Sequence, residues 1–367
     1  MILGHSLLFA ACGGLRNTFC SSLDIITSNI FIIIGEMFCA LLVWLCSGCP
    51  VIPGPIDDNI ILGGFYIFLG GFGDTMGQVL FFLACLNISP SSVAAAVQFS
   101  CTLLGSLISF AITSNGVVLT YLLVGLGVSF LGLSCLVLAE NNLVLHDIYL
   151  QCNSIKGMFA TSADSIDDQE EDPLVPQLPK KSSLSFPQFW YWTGISLLSG
   201  LFFSSLYIVC TVGDTSVPQF IPFPSLVNLI YVFGVFFFFP ATVWLSHYFQ
   251  LLKINDEPTF SSSSNCGTVI ESITANLFKA NFNQGIAAFL IGNLLAISYW
   301  LYFWAVTILP YSISVVIGAC TPILTTILSL TIFEDLKLST VISWCLLLFG
   351  SILYALSIYI LVFLATD

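Results

Sequence analysis

The chain alternates long apolar runs with brief polar interruptions. Ten runs fall near 2 to 20, 25 to 48, 60 to 86, 91 to 113, 117 to 139, 189 to 211, 225 to 250, 284 to 308, 311 to 333 and 340 to 364. A helix of about 20 apolar residues crosses roughly 30 Å of hydrocarbon, so each run is a candidate span. Hydrocarbon offers no hydrogen bonds, and a spanning run must satisfy its own backbone, which a helix does. A β-barrel needs short segments of alternating polarity, and these are absent. The first run has the length of a secretory leader, yet it lacks a basic start and carries Arg16 late, so it reads as a span.

Most interruptions carry turn chemistry. Asn87-Ile88-Ser89-Pro90, Thr113-Ser114-Asn115-Gly116 and Leu309-Pro310 each separate two runs by a few polar or helix-stopping residues, which makes the flanking helices antiparallel neighbours. Two connections are longer. Residues 141 to 188 hold Asp164, Asp167, Asp168, Glu170, Glu171 and Asp172, then Pro173, Pro176 and Pro179, a composition that reads as a disordered linker. Residues 252 to 283 include the Ser261 to Ser264 run and read as a surface stretch.

The acidic linker lies near the middle of the chain, and the segments beside it resemble each other. Phe82-Leu83-Ala84 precedes a short break and a small-residue helix, as Phe303-Trp304-Ala305 does later; Gly127 then pairs with Gly350 and Ser134 with Ser357. Five spans per half is an odd number, so a repeated half inserts with opposite orientation. The expected fold is an all-α polytopic membrane protein of about ten transmembrane helices, arranged as two inverted five-helix repeats. The first repeat covers 1 to 140, the linker 141 to 188 and the second repeat 189 to 367.

Composition narrows the function. Charged residues make up 7 % of the chain and AVILMFWYC 57 %, too few charges for a soluble surface. Seven basic residues against a net charge of -13 exclude nucleic acid as a partner. His5, His146 and His247 are far apart and no paired C-x-x-C occurs, so no metal site is expected. A Walker loop is lacking too, which excludes a self-contained ATP-driven pump. No cofactor and no enzymatic activity are expected.

The order of elements resembles the drug/metabolite transporter superfamily: a short break, a helix of small residues, a polar turn and a last helix punctuated by glycine. Thr307 to Ser357 carries the resemblance most clearly, with Phe333-Glu334-Asp335-Leu336-Lys337-Leu338 at the turn. Finer similarity is to the nucleotide-sugar-transporter-like solute carrier family 35, group F. It rests on Gly35-Glu36-Met37-Phe38-Cys39, on Asp74 and Gly77 ahead of Ala84-Cys85-Leu86-Asn87, and on Gly292-Asn293. The chain departs from the pattern at Gln98-Phe99-Ser100, where a basic residue is usual, and at Ser114-Asn115-Gly116, which lacks a charged pair. The resemblance implies a transporter of organic solutes working by alternating access, with two bundles facing a central cavity.

Ionisable groups inside spans are expensive, at about 2.5 to 3.5 kcal/mol each on insertion scales, and so point to function. Arg16, Glu36 and Asp74 are such groups, all in the first half, and Gln78 shares a helix face with Asp74 at i, i+4 spacing. In the functional reading Glu36 and Asp74 bind a substrate cation or exchange a proton. In the structural reading Arg16 pairs with one of them. Gln98, Asn293, Ser298 and Tyr299 are further hydrogen-bonding candidates, and Pro322 is a candidate hinge because it frees a carbonyl one turn earlier. Gly73 and Gly77 form a G-x-x-x-G that admits close helix approach.

Two functional classes follow. The first is a secondary transporter of a small organic solute, nucleotide-sugar- or metabolite-like, driven by proton coupling or exchange. The second is a non-transporting scaffold or receptor, or an intramembrane enzyme, since Gly71-Phe72-Gly73-Asp74 matches part of an aspartyl-protease motif whose partner acid is missing. A sealed interior with no polar cavity between the halves would favour the second class.

The expected partners are a solute, the bilayer and, as an open option, a second copy of the chain. An intracellular membrane of Golgi, endolysosomal or vacuolar type is expected, with the plasma membrane as alternative. Orientation stays open. Lys156, Lys180, Lys181, Lys253, Lys279 and Lys337 would all lie on one side, which the positive-inside rule places in the cytoplasm, while the resemblance implies cytoplasmic termini on the other. Cys152 and Cys266 would share the lysine side.

Overall fold

A computed structural model describes residues 1–20, 23–52, 58–113, 119–140, 186–216, 222–248, 282–307, 321–333 and 341–360. Ten helices occupy these residues: α1 (Ile2–Phe19), α2 (Ile25–Cys46), α3 (Asp58–Asn87), α4 (Pro90–Thr113), α5 (Leu119–Glu140), α6 (Phe186–Ser216), α7 (Pro224–Tyr248), α8 (Phe282–Val306), α9 (Thr321–Thr331) and α10 (Val341–Tyr359). Six of them, α2, α3, α5, α7, α8 and α10, are long and apolar enough to cross a membrane, as a multi-pass membrane protein requires. Most of the acidic linker and of the 252 to 283 stretch, the six lysines, Cys152, Cys266, Leu309-Pro310 and the Glu334-Asp335 turn lie outside the described residues.

Local chemistry sets the helix ends. Asp24 caps α2, its side chain accepting from the Thr27 backbone N–H at 3.2 Å. The same helix ends in a Schellman turn: Cys49 N–H donates to the Trp44 carbonyl at 3.1 Å, Gly48 N–H donates to Leu45 at 3.1 Å, and Gly48 takes φ +86°. Between α3 and α4 the Ser89 hydroxyl accepts from Ser92 N–H at 3.2 Å, and Pro90 opens α4, where a missing N–H costs nothing.

Large apolar side chains face outward as well as into the core, and polar ones are buried beside the apolar core. On α2 the buried face carries Thr27, Ser28, Asn29 and Glu36, while Ile34, Phe38, Leu41, Leu42 and Leu45 are exposed. Lipid tails are as apolar as these side chains, so burying them gains little; the polar groups must instead find partners within the protein. The central helix is α3, with 83 % of its most apolar window buried, and α10 is peripheral at 28 %.

Contacts between the first five helices and the last five come in pairs. Helix α3 packs on α6 and α7, and α8 packs on α1 and α2; α4 meets α6, and α9 meets α1. Helices α2 and α7, α4 and α9, and α5 and α10 meet each other directly.

Glycines make the closest approaches. A Cβ at Gly35 would overlap the Phe289 carbonyl oxygen, and one at Gly292 would overlap the Ile32 carbonyl, so α2 and α8 touch backbone to backbone and run antiparallel. The α3 and α7 crossing has the same construction: a Cβ at Gly234 would overlap the Phe68 carbonyl, and one at Gly71 the backbone of Tyr231, Gly234 and Val235. Between α5 and α10, Cβ atoms built at Gly132 and Gly350 would stand 2.9 and 2.8 Å from each other's carbonyl oxygens. Gly132 also faces Tyr354, and Gly350 faces Leu136, so this pair is antiparallel as well.

The same contacts distinguish positions along α3 and α5. The close backbone approach of α3 uses Gly71, while Gly77 faces the Phe203 ring at 3.0 Å. In the fifth helix the contact partner of Gly350 is Gly132; the space around Gly127 is open to 4 Å.

Candidate functional site

Three helices bring the candidate residues together. On α3, Asp74 and Gln78 stand one turn apart on one face, as their spacing predicts. Glu36 comes from α2, at the level where α8 crosses closest: a Cβ at Gly292 would lie 2.9 Å from the Glu36 backbone nitrogen. Tyr299 arrives two turns further along α8.

The Gln78 amide is the hub. Its Nε2 donates to Glu36 Oε1 at 2.8 Å and to Asp74 Oδ2 at 2.9 Å. An amide nitrogen has two hydrogens, so both are used, and the Tyr299 hydroxyl at 3.4 Å from the same nitrogen is only a close neighbour. That hydroxyl donates instead to Asp74 Oδ1 at 3.0 Å. Tyr231 of α7 packs edge-on against Tyr299, ring centroids 5.6 Å apart, and its side chain also interacts with Asp74.

Burial and satisfaction differ between the two acids. Glu36 and Asp74 are both 0 % exposed. Asp74 has a donor on each oxygen, whereas Glu36 Oε2 and Gln78 Oε1 have none. Each hydrogen bond to a charged group contributes about 1.5 to 3 kcal/mol, so two bonds offset the intramembrane cost of Asp74 and one leaves Glu36 short. Glu36 is therefore the acid with capacity for a further donor.

Arg16 does not hydrogen-bond either carboxylate. Its Nη2 reaches Ser28 Oγ at 3.4 Å and the Leu23 carbonyl at 3.5 Å. It is the one lysine or arginine among the described residues, so no such cation there neutralises the acids.

The other candidates lie elsewhere. Gln98 donates to Thr102 Oγ1 at 3.2 Å within α4, and Asn293 donates to the Phe289 carbonyl at 2.8 Å within α8. Pro322 lies in α9 at the edge of the described residues, those before Thr321 being outside them. Within a described helix the interior proline is Pro240 of α7, set in a phenylalanine run that masked it.

Sequence reasoning also missed His5. Its Nδ1 lies 2.6 Å from Ser298 Oγ and 3.0 Å from the Ser298 carbonyl, pinning α1 to α8 beside Tyr299. On the other side of the bundle Ser199 donates to the Gly77 carbonyl at 2.8 Å, pinning α6 to α3 beside Gln78.

Chemically, the cluster is two carboxylates joined by an amide and a phenol. Both acids accept from one Gln78 nitrogen, so the amide stands between them, unlike a protease pair that shares a proton directly. Among the described residues no group of three His, Cys, Asp or Glu side chains is placed to hold a metal ion.

No protein-family model matches the chain, and no curated protein matches it significantly. A solved structure described only as "Crystal structure of protein" aligns with 99 % of this chain and 96 % of its own, at a TM-score of 0.47 and 13 % identity, too distant to bear on fold or function.

Proposed function

We propose that the protein is a secondary transporter that moves a small organic solute, nucleotide-sugar- or metabolite-like, by alternating access, with Glu36 and Asp74 coupling its movement to a proton or an exchanged cation. One observation carries the reading. Buried Asp74 of the first five helices accepts a hydrogen bond from Tyr299 of the last five, and Gln78 links Asp74 to the second buried acid, Glu36. Intramembrane acids that face a bundle interior mark ion and substrate pathways, and a link between halves is where a rocking motion would make and break bonds.

The two-repeat arrangement is part of the proposal, and the paired contacts support it. Exchange each helix with the one five places on, and among the described residues each extensively contacting pair between the halves maps onto another such pair or onto itself. Gly35 and Gly234 play matching roles, as do Gly71 and Gly292, and Phe68 and Phe289. Helices α5 and α10, which are equivalents, run antiparallel, as inverted halves require. On this reading all ten helices are spans, and the described state is occluded, because the site is buried from both sides. The same burial suits a scaffold that never opens, and flux separates the two.

The test is reconstitution into proteoliposomes, with a metabolite panel screened for solute-evoked currents under an imposed pH gradient. Asp74→Asn and Glu36→Gln should each abolish coupled movement of any solute found. Wild-type flux in both variants would overturn the assignment.

A further inference from the structure

The acid cluster leaves a buried cation, the one lysine or arginine among the described residues, unexplained. Arg16 is 0 % exposed, and its Nε and Nη1 have no hydrogen-bond partner. A guanidinium presents five N–H donors in a rigid fork, and here only Nη2 is engaged, by two bonds at the long end of the range. Taking such a group out of water without partners is costly. The natural complement of an open fork is a planar or tetrahedral oxyanion, carboxylate or phosphate.

The surroundings favour an anion. Through Ser28, Arg16 reaches the first turn of α2, a helix of 22 residues whose N-terminus carries the positive end of its dipole. In that turn the Thr27 hydroxyl is also buried without a partner. Asp24, the nearby carboxylate, is exposed and occupied with capping Thr27, and it attracts Arg16 electrostatically without using up the fork's open donors. The carbonyl end of α1 offsets part of the charge but leaves two guanidinium nitrogens open.

The position connects this group to the acid cluster. Cys12, one turn before Arg16 on the same face of α1, lies within electrostatic reach of Glu36. Ser28 stands two turns before Glu36 on α2. Along α2, Ser28 and Glu36 are about 12 Å apart, by the rise of 1.5 Å per residue.

We propose that Arg16 is an anion subsite that holds a carboxylate or phosphate group of the transported solute. Resting on the transporter reading, it makes the cargo a small amphoteric molecule: its cationic end meets Glu36 Oε2 and Gln78 Oε1, and its acid end meets the Arg16 fork.

The experiment uses the full chain in phosphatidylcholine nanodiscs, titrated with sodium acetate or sodium phosphate at constant ionic strength, with Tm read from intrinsic tryptophan fluorescence. A ligand that binds the folded state raises Tm with concentration. At least one probe should raise Tm in wild type and in Asp74→Asn, less in Arg16→Lys, and not at all in Arg16→Gln. An undiminished rise in Arg16→Gln, or no rise in wild type with either probe, overturns the subsite.

Should Arg16→Gln fail to fold, phenylglyoxal labelling of the wild type replaces it, because Arg16 is the only arginine in the chain. The probes should slow formation of the adduct, and unprotected or absent labelling counts against the proposal. Nanodiscs containing phosphatidic acid form a separate arm. Stabilisation by that lipid alone would assign the fork to a headgroup and overturn the cargo role. Anion binding at Arg16 without any flux would leave the subsite standing and remove the transporter reading; flux indifferent to Arg16 would do the reverse.

Discussion

The α2 and α8 crossing and the α3 and α7 crossing are built alike and furnished differently. Each is a glycine on each helix set against the other's backbone: Gly35 with Gly292 in one, Gly234 with Gly71 in the other. Yet Gly35 is followed by Glu36, and Gly234 by Val235. Three residues past Gly71 stands Asp74; three past Gly292 stands Leu295. One turn further the equivalents are Gln78 and Tyr299, and these two meet. Backbone contact thus demands glycine in both halves, while the acids are needed once. The donor pair sits where the halves join, and the charge sits to one side of it.

The largest effect expected from breaking this asymmetry is on transport. Asp74→Asn and Glu36→Gln should eliminate coupled flux while leaving expression and Tm near wild type, because each removes a buried charge without changing shape. Adding charge should do the opposite. Val235→Glu places a carboxylate at the matching position without the Gln78 amide, and should lower Tm through an insertion cost of about 2.5 to 3.5 kcal/mol. A Val235→Glu protein as stable as wild type would show that the second half also has donors to spare.

Smaller effects sharpen the comparison of the crossings. Gly292→Ala and Gly71→Ala should each destabilise by about 1 to 3 kcal/mol, since the added methyl meets backbone that cannot turn aside. Only Gly292→Ala should also impair flux, because α8 would be displaced beside Glu36. Tyr299→Phe removes one donor from Asp74 and should weaken solute or proton coupling by about 1.5 to 3 kcal/mol with the fold intact. Equal loss from Tyr299→Phe and Asp74→Asn would mean that the phenol itself takes part in coupling. Least of all, Gly127→Ala should leave Tm unchanged or raise stability by less than about 1 kcal/mol, whereas Gly132→Ala should lower it.

The sequence located nine of the ten helices to within a few residues, because length and hydropathy are local properties and a bilayer makes them nearly sufficient. The ninth is the exception: the run from 311 predicts a longer element than α9, and its first part is outside the described residues. Asp74 and Gln78 were legible as neighbours from helical spacing alone. Tyr299 was legible only as a polar residue in an apolar helix, without a destination. Gln98 and Asn293 looked equally promising, and each bonds within its own helix.

By itself, then, the sequence determined the helices, the broad membrane class and the short list of costly polar groups. Each follows from the free energy of one segment in hydrocarbon. Which polar groups meet was decided by tertiary structure. Gly35 and Gly292 bring α8 close to α2, Tyr299 reaches Asp74, Glu36 reaches Gln78 across α2 and α3, and Arg16 is left to α2's first turn. Pairing across helices depends on backbone separation and rotation, quantities that no single segment encodes.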